Sequence, residues 1–145
     1  MEPFTVRERI IETVNKLFLY TDNQDWDMLQ KDVFSSEVDL DMSSIDGPDK
    51  TMTSGEICKM WAEGFSGIDQ INHLAGNYLV TLLAPDHAVV FCYATATHFK
   101  EAAKNGKTRE FTGSYDIRLH QGEDGWRINH LAYKLKYSLG NMNLD

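Results

Sequence analysis

The sequence predicts an α+β fold in which N-terminal helices pack on a strongly curved antiparallel sheet. Apolar residues recur at helical spacing in two segments before Gly67, whereas from Ile71 onward they follow the alternation of strands. Turn sequences at Pro85-Asp86, Asn105-Gly106 and 122–125 divide this second part into strands. Helices followed by a run of strands are typical of α+β domains, and a curved sheet closed by helices forms a cone whose open end is a pocket.

Length and composition fit a single globular domain, which we place at residues 1–138, with a loose C-terminal tail at 139–145. The chain has 145 residues, of which 42% are hydrophobic and 25% charged, and no apolar run approaches the ~20 residues of a membrane span. The net charge of −8 and the pI of about 5.0 argue against nucleic acid or an anionic membrane as partner. Since residues 1–20 carry charges where a signal peptide would be apolar, we expect a cytoplasmic protein.

Neither the cysteines nor the acidic segment after residue 45 has the spacing of a metal site. Cys58 and Cys92 lie in apolar patterns, and we expect them to be buried free thiols, without a disulfide or a zinc ion. The acidic run through Asp46 and Asp49 lacks the spacing of a calcium-binding loop, so a solvated edge is the better interpretation.

A first helix is predicted over Val6–Tyr20. Thr5 is placed to cap it, with Glu8 three residues later as its capping-box partner. Its apolar residues recur at helical spacing and define one buried face: Val6, Ile10, Ile11, Val14, Leu17 and Phe18. Asp22 lies four positions beyond Phe18, so a helix that extended this far would point its carboxylate along the buried face. The alternative is a helix-end aspartate that hydrogen-bonds nearby backbone.

The segment that follows is predicted to contain two more helices and one strand. Asp25 caps a short helix, and residues 36–43 alternate as a strand. Thr53 or Ser54 caps a longer helix that carries Trp61. The helical spacing of the Met and aromatic residues in that helix favours core packing, but Trp61 is also expected to contact a ligand.

The remaining chain is predicted to form four strands: Leu74–Leu83, Ala88–Ala102, Thr108–His120 and Trp126–Tyr137. If Pro85-Asp86 forms the centre of a regular hairpin, His73 and His98 face each other with Cβ atoms about 5 Å apart. Small or short residues share their face and leave room for a ligand: Ala75, Asn77, Ala94 and Ala96. A bulge would move the register by one place and break this pairing.

Four short motifs occur in order along the chain. They are Tyr-x-x-x-x-Asp-Trp-Asp at 20–27, Asp-Leu-Asp at 39–41, Asn-His-Leu-x-Gly-Asn at 72–77 and Asp-Gly-Trp-Arg-Ile at 124–128. Together they resemble the SnoaL-like family of the nuclear-transport-factor-2-like superfamily, and the resemblance implies a cystatin-like α+β cone. The pattern of site residues is most similar to that of scytalone dehydratase. The resemblance places Asp22 at the pocket aspartate of that enzyme, and His73 and His98 at its two catalytic histidines.

The chain also departs from this pattern. Two tyrosines that hold a water on the substrate carbonyl in the dehydratase fall on Thr21 and Met42, and neither residue can replace a phenol. Another residue would therefore have to polarise the carbonyl. Tyr115 is a better candidate than Tyr93, because strand parity points Tyr93 away from His98.

The resemblance and the residue types together predict acid–base chemistry on a small apolar or aromatic carbonyl compound. The enzyme would be a lyase or isomerase of the dehydratase or polyketide-cyclase kind, and it would need no cofactor. His73, paired with Asp22, would take a proton next to the carbonyl, and His98 would donate one. Asn77 and Tyr115 would orient the substrate. The same groups could also bind zinc, but the family that the chain resembles is mostly metal-free.

The alternative function is a non-catalytic ligand-binding or oligomerisation module of the same fold, in which the two histidines are structural. An open cavity that reaches the acid–base residues would favour an enzyme, whereas a filled cone would favour a structural domain. In either case we expect a homodimer that buries part of the convex face of the sheet. The residues expected to supply apolar area there are Tyr133, Leu135 and Tyr137.

Overall fold

The computed structural model describes residues 3–145, which form helices and a single sheet. Before the sheet's long strands the chain forms helix α1 (Val6–Asp22), helix α2 (Trp26–Met28), a π-helical turn (Leu29–Val33), strand β1 (Phe34–Asp41), a 3₁₀ turn (Ser43–Ile45), strand β2 (Asp49–Thr53) and helix α3 (Ser54–Gly64). Four longer strands follow: β3 (Gln70–Ala84), β4 (His87–Phe99), β5 (Thr108–Gly122) and β6 (Gly125–Gly140). No helix in residues 3–145 is long and apolar enough to cross a membrane.

The six strands form one mixed sheet in the order β2-β1-β6-β5-β4-β3. Strands β3 to β6 pair as an antiparallel meander, as the sequence predicts for residues 70–138. The sheet as a whole is not purely antiparallel, because β1 runs parallel to β6. The N-terminal helices pack on this open sheet, so the predicted α+β cone is confirmed.

Helix α1 has the predicted cap and buried face. The Thr5 hydroxyl accepts a hydrogen bond from the Glu8 amide, and the Glu8 carboxylate accepts one from the Thr5 amide. Four residues of the predicted face are buried, namely Ile10, Val14, Leu17 and Phe18, whereas Ile11 is half-buried and Val6 is exposed. Thr13 and Thr21 are buried as well, which the apolar pattern did not predict. The helix packs mainly against β3, and Phe18 reaches the sheet's inner face, where it contacts Tyr115. This face of the sheet, toward α1, is the concave face of the cone.

The β3–β4 hairpin turns at Pro85-Asp86 as predicted, but it contains two bulges in β3. One bulge lies between Gly76 and Leu79, and the other between Leu82 and Ala84. Each moves the register by one place, so the two histidines do not face each other directly: His73 pairs with Ala96, and His98 pairs with Ile71. Because the two shifts add to an even number, both histidines stay on the concave face as diagonal neighbours.

The predicted two-residue turn at Asn105-Gly106 is wrong. Strand β4 ends at Phe99 and not at Ala102, and a longer loop at 100–107 leads to β5. This loop folds because Ala103 is buried in it and because the amides of Lys104 and Asn105 donate to the carbonyl of Asp145. Gly106 keeps a positive φ of 111°, which suits glycine, but it does so inside the loop.

The last residues are not a loose tail. Strand β6 continues to Gly140, and Leu144 is only 2% exposed. The Asn141 side chain donates to the carbonyl of Gly106, so the C-terminal segment is fixed against the 100–107 loop. The apolar side chain of Leu144 drives this closure, because burying it removes apolar area from water.

Candidate active site

A cavity of about 360 Å³ lies between the concave face of the sheet, α1, α3 and the segment at 42–48. This volume is within the usual range of small-molecule pockets. Most of the lining side chains are apolar or aromatic, and Trp61, which was expected to contact a ligand, is among them. The lining residues are Leu17, Phe18, Thr21, Met42, Ile45, Gly47, Pro48, Met60, Trp61, Gly64, Phe65, Ala96, His98, Arg109, Phe111, Tyr115, Leu131 and Tyr133.

Asp22 and His73 form a buried pair beside this cavity. Helix α1 extends past the predicted Tyr20 and carries Asp22 toward β3, where its Oδ1 lies 2.5 Å from His73 Nδ1. Its Oδ2 accepts the backbone N–H of His73 at 3.0 Å. The side chains of His73 and Asp22 are only 8% and 12% exposed. Asp22 is therefore not the local turn aspartate that was the alternative interpretation, because both carboxylate oxygens bind one residue of a distant strand.

The pair has a defined proton arrangement. Since Asp22 Oδ1 accepts from His73 Nδ1, the neutral imidazole keeps its lone pair on Nε2. Phe18 stacks on the ring with centroids 5.4 Å apart and holds its orientation. Neither Asp22 nor His73 belongs to the cavity lining; they adjoin it through Phe18 and through Ala96, the strand partner of His73.

His98, unlike His73, lines the cavity directly and is 8% exposed. The Arg109 Nε–H donates to His98 Nδ1 at 3.0 Å, so this nitrogen carries no proton and Nε2 carries the single one. Burial lowers the pKa of His98 to about 4, and the charges of Arg109 and His73 add to this effect. At neutral pH His98 is therefore an uncharged hydrogen-bond donor.

Two tyrosines also line the cavity. Tyr115 and Tyr133 are a cross-strand pair with ring centroids 4.8 Å apart. Burial raises the pKa of both phenols, that of Tyr133 to about 12, so both are protonated at neutral pH. The hydroxyl of Tyr133 is buried and has no partner among the described residues. Phenols are thus present in the cavity, although Thr21 and Met42 occupy the positions where the family pattern has them.

The predicted location of Tyr133 and Leu135 on the convex face is wrong. Leu135 pairs with Gly113 on the strand face that carries Tyr115, and it packs against the core. Tyr133 pairs with Tyr115 and points into the cone, and Gly113 leaves the space for it, because a Cβ at Gly113 would lie 2.7 Å from the Tyr133 hydroxyl. Asn77 is also placed differently from the prediction. It lies in the first bulge of β3 with φ 58°, it is exposed, and it is not among the residues that line the cavity.

Sequence reasoning missed Arg109. Strand parity could have revealed it, because Arg109, Phe111 and Tyr115 occupy alternate positions of one strand that all face the cavity. A charged residue in such an inward-facing row is unusual and indicates a function.

Both cysteines are buried free thiols, as predicted. Burial raises the pKa of Cys58 to about 11 and that of Cys92 to about 12. Within residues 3–145, one cluster of three side chains has the spacing to hold a metal ion: Asp86, His87 and His120. It is exposed at the Pro85-Asp86 turn and does not belong to the cavity.

Comparisons with known proteins agree with this architecture. Residues 3–132 match the model of the SnoaL-like domain. A protein from Kribbella flavida superposes with a TM-score of 0.88 at 22% identity, over 95% of both chains. A proposed scytalone dehydratase from Novosphingobium aromaticivorans has a TM-score of 0.78 at 13% identity, over 92% of this chain and 85% of its own.

A hexachlorocyclohexane dehydrochlorinase, LinA type 2, has a TM-score of 0.76 at 12% identity, over 93% of this chain and 88% of its own. At these identities the solved structures share the fold of this chain, and the likeness extends no further. A search of curated proteins found no significant match.

Proposed function

The chain belongs to the SnoaL-like family, and we propose that it is an enzyme that catalyses elimination or isomerisation of a small, largely apolar carbonyl compound. The observation that carries the proposal is the buried Asp22–His73 pair next to an apolar cavity. A carboxylate and an imidazole buried together are costly unless they are paired, and Asp22 and His73 are both buried and hydrogen-bonded to each other.

In this proposal His73 is the base. Its Nε2 takes a proton from the carbon next to the carbonyl, and Asp22 stabilises the imidazolium that forms. The backbone N–H of His73 on the second oxygen of Asp22 fixes the carboxylate and limits its reorganisation during the reaction. In an elimination the proton on His73 then goes to the departing hydroxyl; in an isomerisation it returns to another atom of the substrate. His73 therefore both takes up the proton and releases it.

The carbonyl oxygen becomes negatively charged as the proton leaves, and neutral donors in the cavity can stabilise it. His98 offers its Nε2–H, since Arg109 occupies its Nδ1. The unpartnered hydroxyl of Tyr133 and the hydroxyl of Tyr115 are further donors. Preorganised donors of this type typically contribute 10²–10³ in rate, on the order of 3–4 kcal/mol.

The test does not need the natural substrate. Small aryl ketones and β-hydroxy ketones, each with and without a carboxylate group, are incubated with the protein in D₂O, and exchange of the proton next to the carbonyl is followed by ¹H NMR. We expect Asp22→Asn to slow the exchange by roughly 10²–10⁴ with the fold intact. Asp124→Asn, the same chemical change at an exposed turn, is the matched control. If no compound in the panel exchanges faster with the wild-type protein than in buffer, the proposal fails.

One observation favours the non-catalytic alternative. Neither Asp22 nor His73 belongs to the cavity lining, so a ligand that contacts only the lining residues would not touch the acid–base pair. A protein that binds aryl carbonyl compounds without catalysing exchange would be a ligand-binding module of this fold. The same NMR experiment separates the two functions, since saturation transfer reports binding and deuterium uptake reports catalysis.

A further inference from the structure

Arg109 is the only lysine or arginine that lines the cavity in the described part of the chain. No aspartate or glutamate of residues 3–145 lines it, so the guanidinium is an isolated positive charge in an apolar space. The protein has a net charge of −8, yet no acidic residue of the described range 3–145 forms an ion pair with this arginine.

Two of the five N–H donors of Arg109 are used by the protein. Nε donates to His98, and Nη1 donates to the carbonyl of Met142 at 2.8 Å. Nη2 has no hydrogen-bond partner in residues 3–145, and no carboxylate of that range lies within 4.0 Å of the guanidinium. Arg118, which lies nine residues further along the same strand and is exposed, is 3.8 Å from the carboxylate of Asp116.

The two hydrogen bonds hold the guanidinium in place from two different parts of the chain. One bond goes to His98 on β4, and the other goes to the carbonyl of Met142 in the C-terminal segment. The buried side chain of Leu144 anchors that segment. Burial also lowers the pKa of Arg109, which reflects the loss of water around it, although an arginine stays charged at neutral pH. A fixed and partly desolvated cation with free donors is arranged to receive an anion.

We propose that Arg109 is an anion subsite and that the substrate of this cavity is a small carbonyl compound that also carries a carboxylate. The inference rests on the proposed function, whose substrate class it narrows. The planar fork of Nη1 and Nη2 matches the two oxygens of a carboxylate, and the surrounding aromatic side chains Phe65 and Phe111 accept the apolar body. His98, held by the same guanidinium, then lies next to the bound carboxylate end of the molecule.

The test compares two ligands of the same shape that differ in charge. Binding of trans-cinnamate and of cinnamamide to the wild-type protein is measured by isothermal titration calorimetry at pH 7.5. We expect cinnamate to bind roughly 10- to 100-fold more tightly, as is typical of a hydrogen-bonded charge pair. Equal affinities, or no measurable binding of either compound at millimolar concentration, would overturn the subsite.

Variants then assign the preference to Arg109. Arg109→Gln should bring the two affinities to within about threefold, and Arg109→Lys should retain part of the preference, because it keeps the charge and loses the fork. Arg118→Gln is the matched surface control and should leave the preference unchanged. The wild-type comparison stands alone if Arg109→Gln does not fold.

The outcome for the subsite is independent of the outcome for catalysis. Asp22→Asn should keep the cinnamate preference, since it removes only the partner of the base. A clear preference for cinnamate without deuterium exchange on any carboxylate-bearing ketone would support the subsite and refute the enzyme. Exchange on neutral ketones without a preference for cinnamate would support the enzyme and refute the subsite.

Discussion

The neutral state of His98 predicts how the stability of the protein depends on pH. The pKa of His98 is lowered from 6.5 to about 4 in the folded protein, so the unfolded chain binds more protons between these values. The free energy of unfolding is therefore unaffected above about pH 6.5, falls progressively as the pH decreases from 6.5 to 4, and loses nothing more from this group below 4. The full effect is on the order of 3 kcal/mol, and the loss between pH 7 and pH 5 is about 2 kcal/mol, because each pKa unit corresponds to about 1.4 kcal/mol.

The assay compares wild-type protein with His98→Gln, in which the side-chain oxygen can still accept from Arg109. The free energy of unfolding is measured in urea at pH 7, 6 and 5, and the difference between the two proteins removes the contributions of other titrating groups. We expect this difference to change by about 2 kcal/mol in favour of the variant on going from pH 7 to pH 5. Nitrogen-15 NMR should show a proton on Nε2 and none on Nδ1 throughout this range. A His98 that titrates near 6.5, or a difference that does not depend on pH, would refute the arrangement.

Three further outcomes are expected. Tyr133→Phe should leave the free energy of unfolding unchanged or raise it by about 1 kcal/mol in thermal unfolding, because it removes an unpartnered buried hydroxyl. The same variant should slow the deuterium exchange that NMR follows. Leu144→Ala should lower the free energy of unfolding by roughly 2 kcal/mol and weaken cinnamate binding, because the C-terminal segment that holds Arg109 loses its buried anchor; an unchanged affinity would contradict this link. We also expect a homodimer through the convex face, where the exposed side chains of Leu74 and Tyr137 belong to one cross-strand row. Tyr137→Lys should therefore give a monomer by sedimentation at micromolar concentration, and a monomeric wild type would exclude the interface.

The parts of the fold that depend on local chemistry could be predicted from the sequence. The capping box at Thr5, the turn at Pro85-Asp86 and the change from helical to strand periodicity each act within a few residues. The loop at 100–107 could not be predicted in this way, because its shape depends on Asp145, which is remote in the sequence. Asn105-Gly106 favours a tight turn locally, but burial of Ala103 and the hydrogen bonds from the C-terminal segment favour the longer loop.

Only part of the candidate site could be predicted, because Arg109 was missed and Asn77 lies outside the cavity. The helix pattern left Asp22 as one of two alternatives, and the resemblance to the family made it and its histidine partner candidate site residues. The state of His98 did not follow, because it depends on Arg109, whose side chain meets the histidine only when β4 and β5 are paired. Tyr115 faces the cavity even though the 100–107 loop replaces the predicted tight turn. The register between β4 and β5 pairs Tyr115 with Cys92, whose side chain also points inward.

The alternation of side chains along a strand explains why His73 and His98 share one face of the sheet although the predicted register between them was wrong. A single bulge in β3 would have turned either His73 or His98 to the convex face and separated the two. Two bulges restore the inward face, and the first of them requires a residue that tolerates positive φ, which Asn77 supplies. The role of Asn77 is thus in the backbone: its conformation accounts for one of the two shifts that together keep His73 beside Asp22 and on the same face as His98. The same argument explains why the short asparagine expected to orient a substrate instead lies outside the cavity.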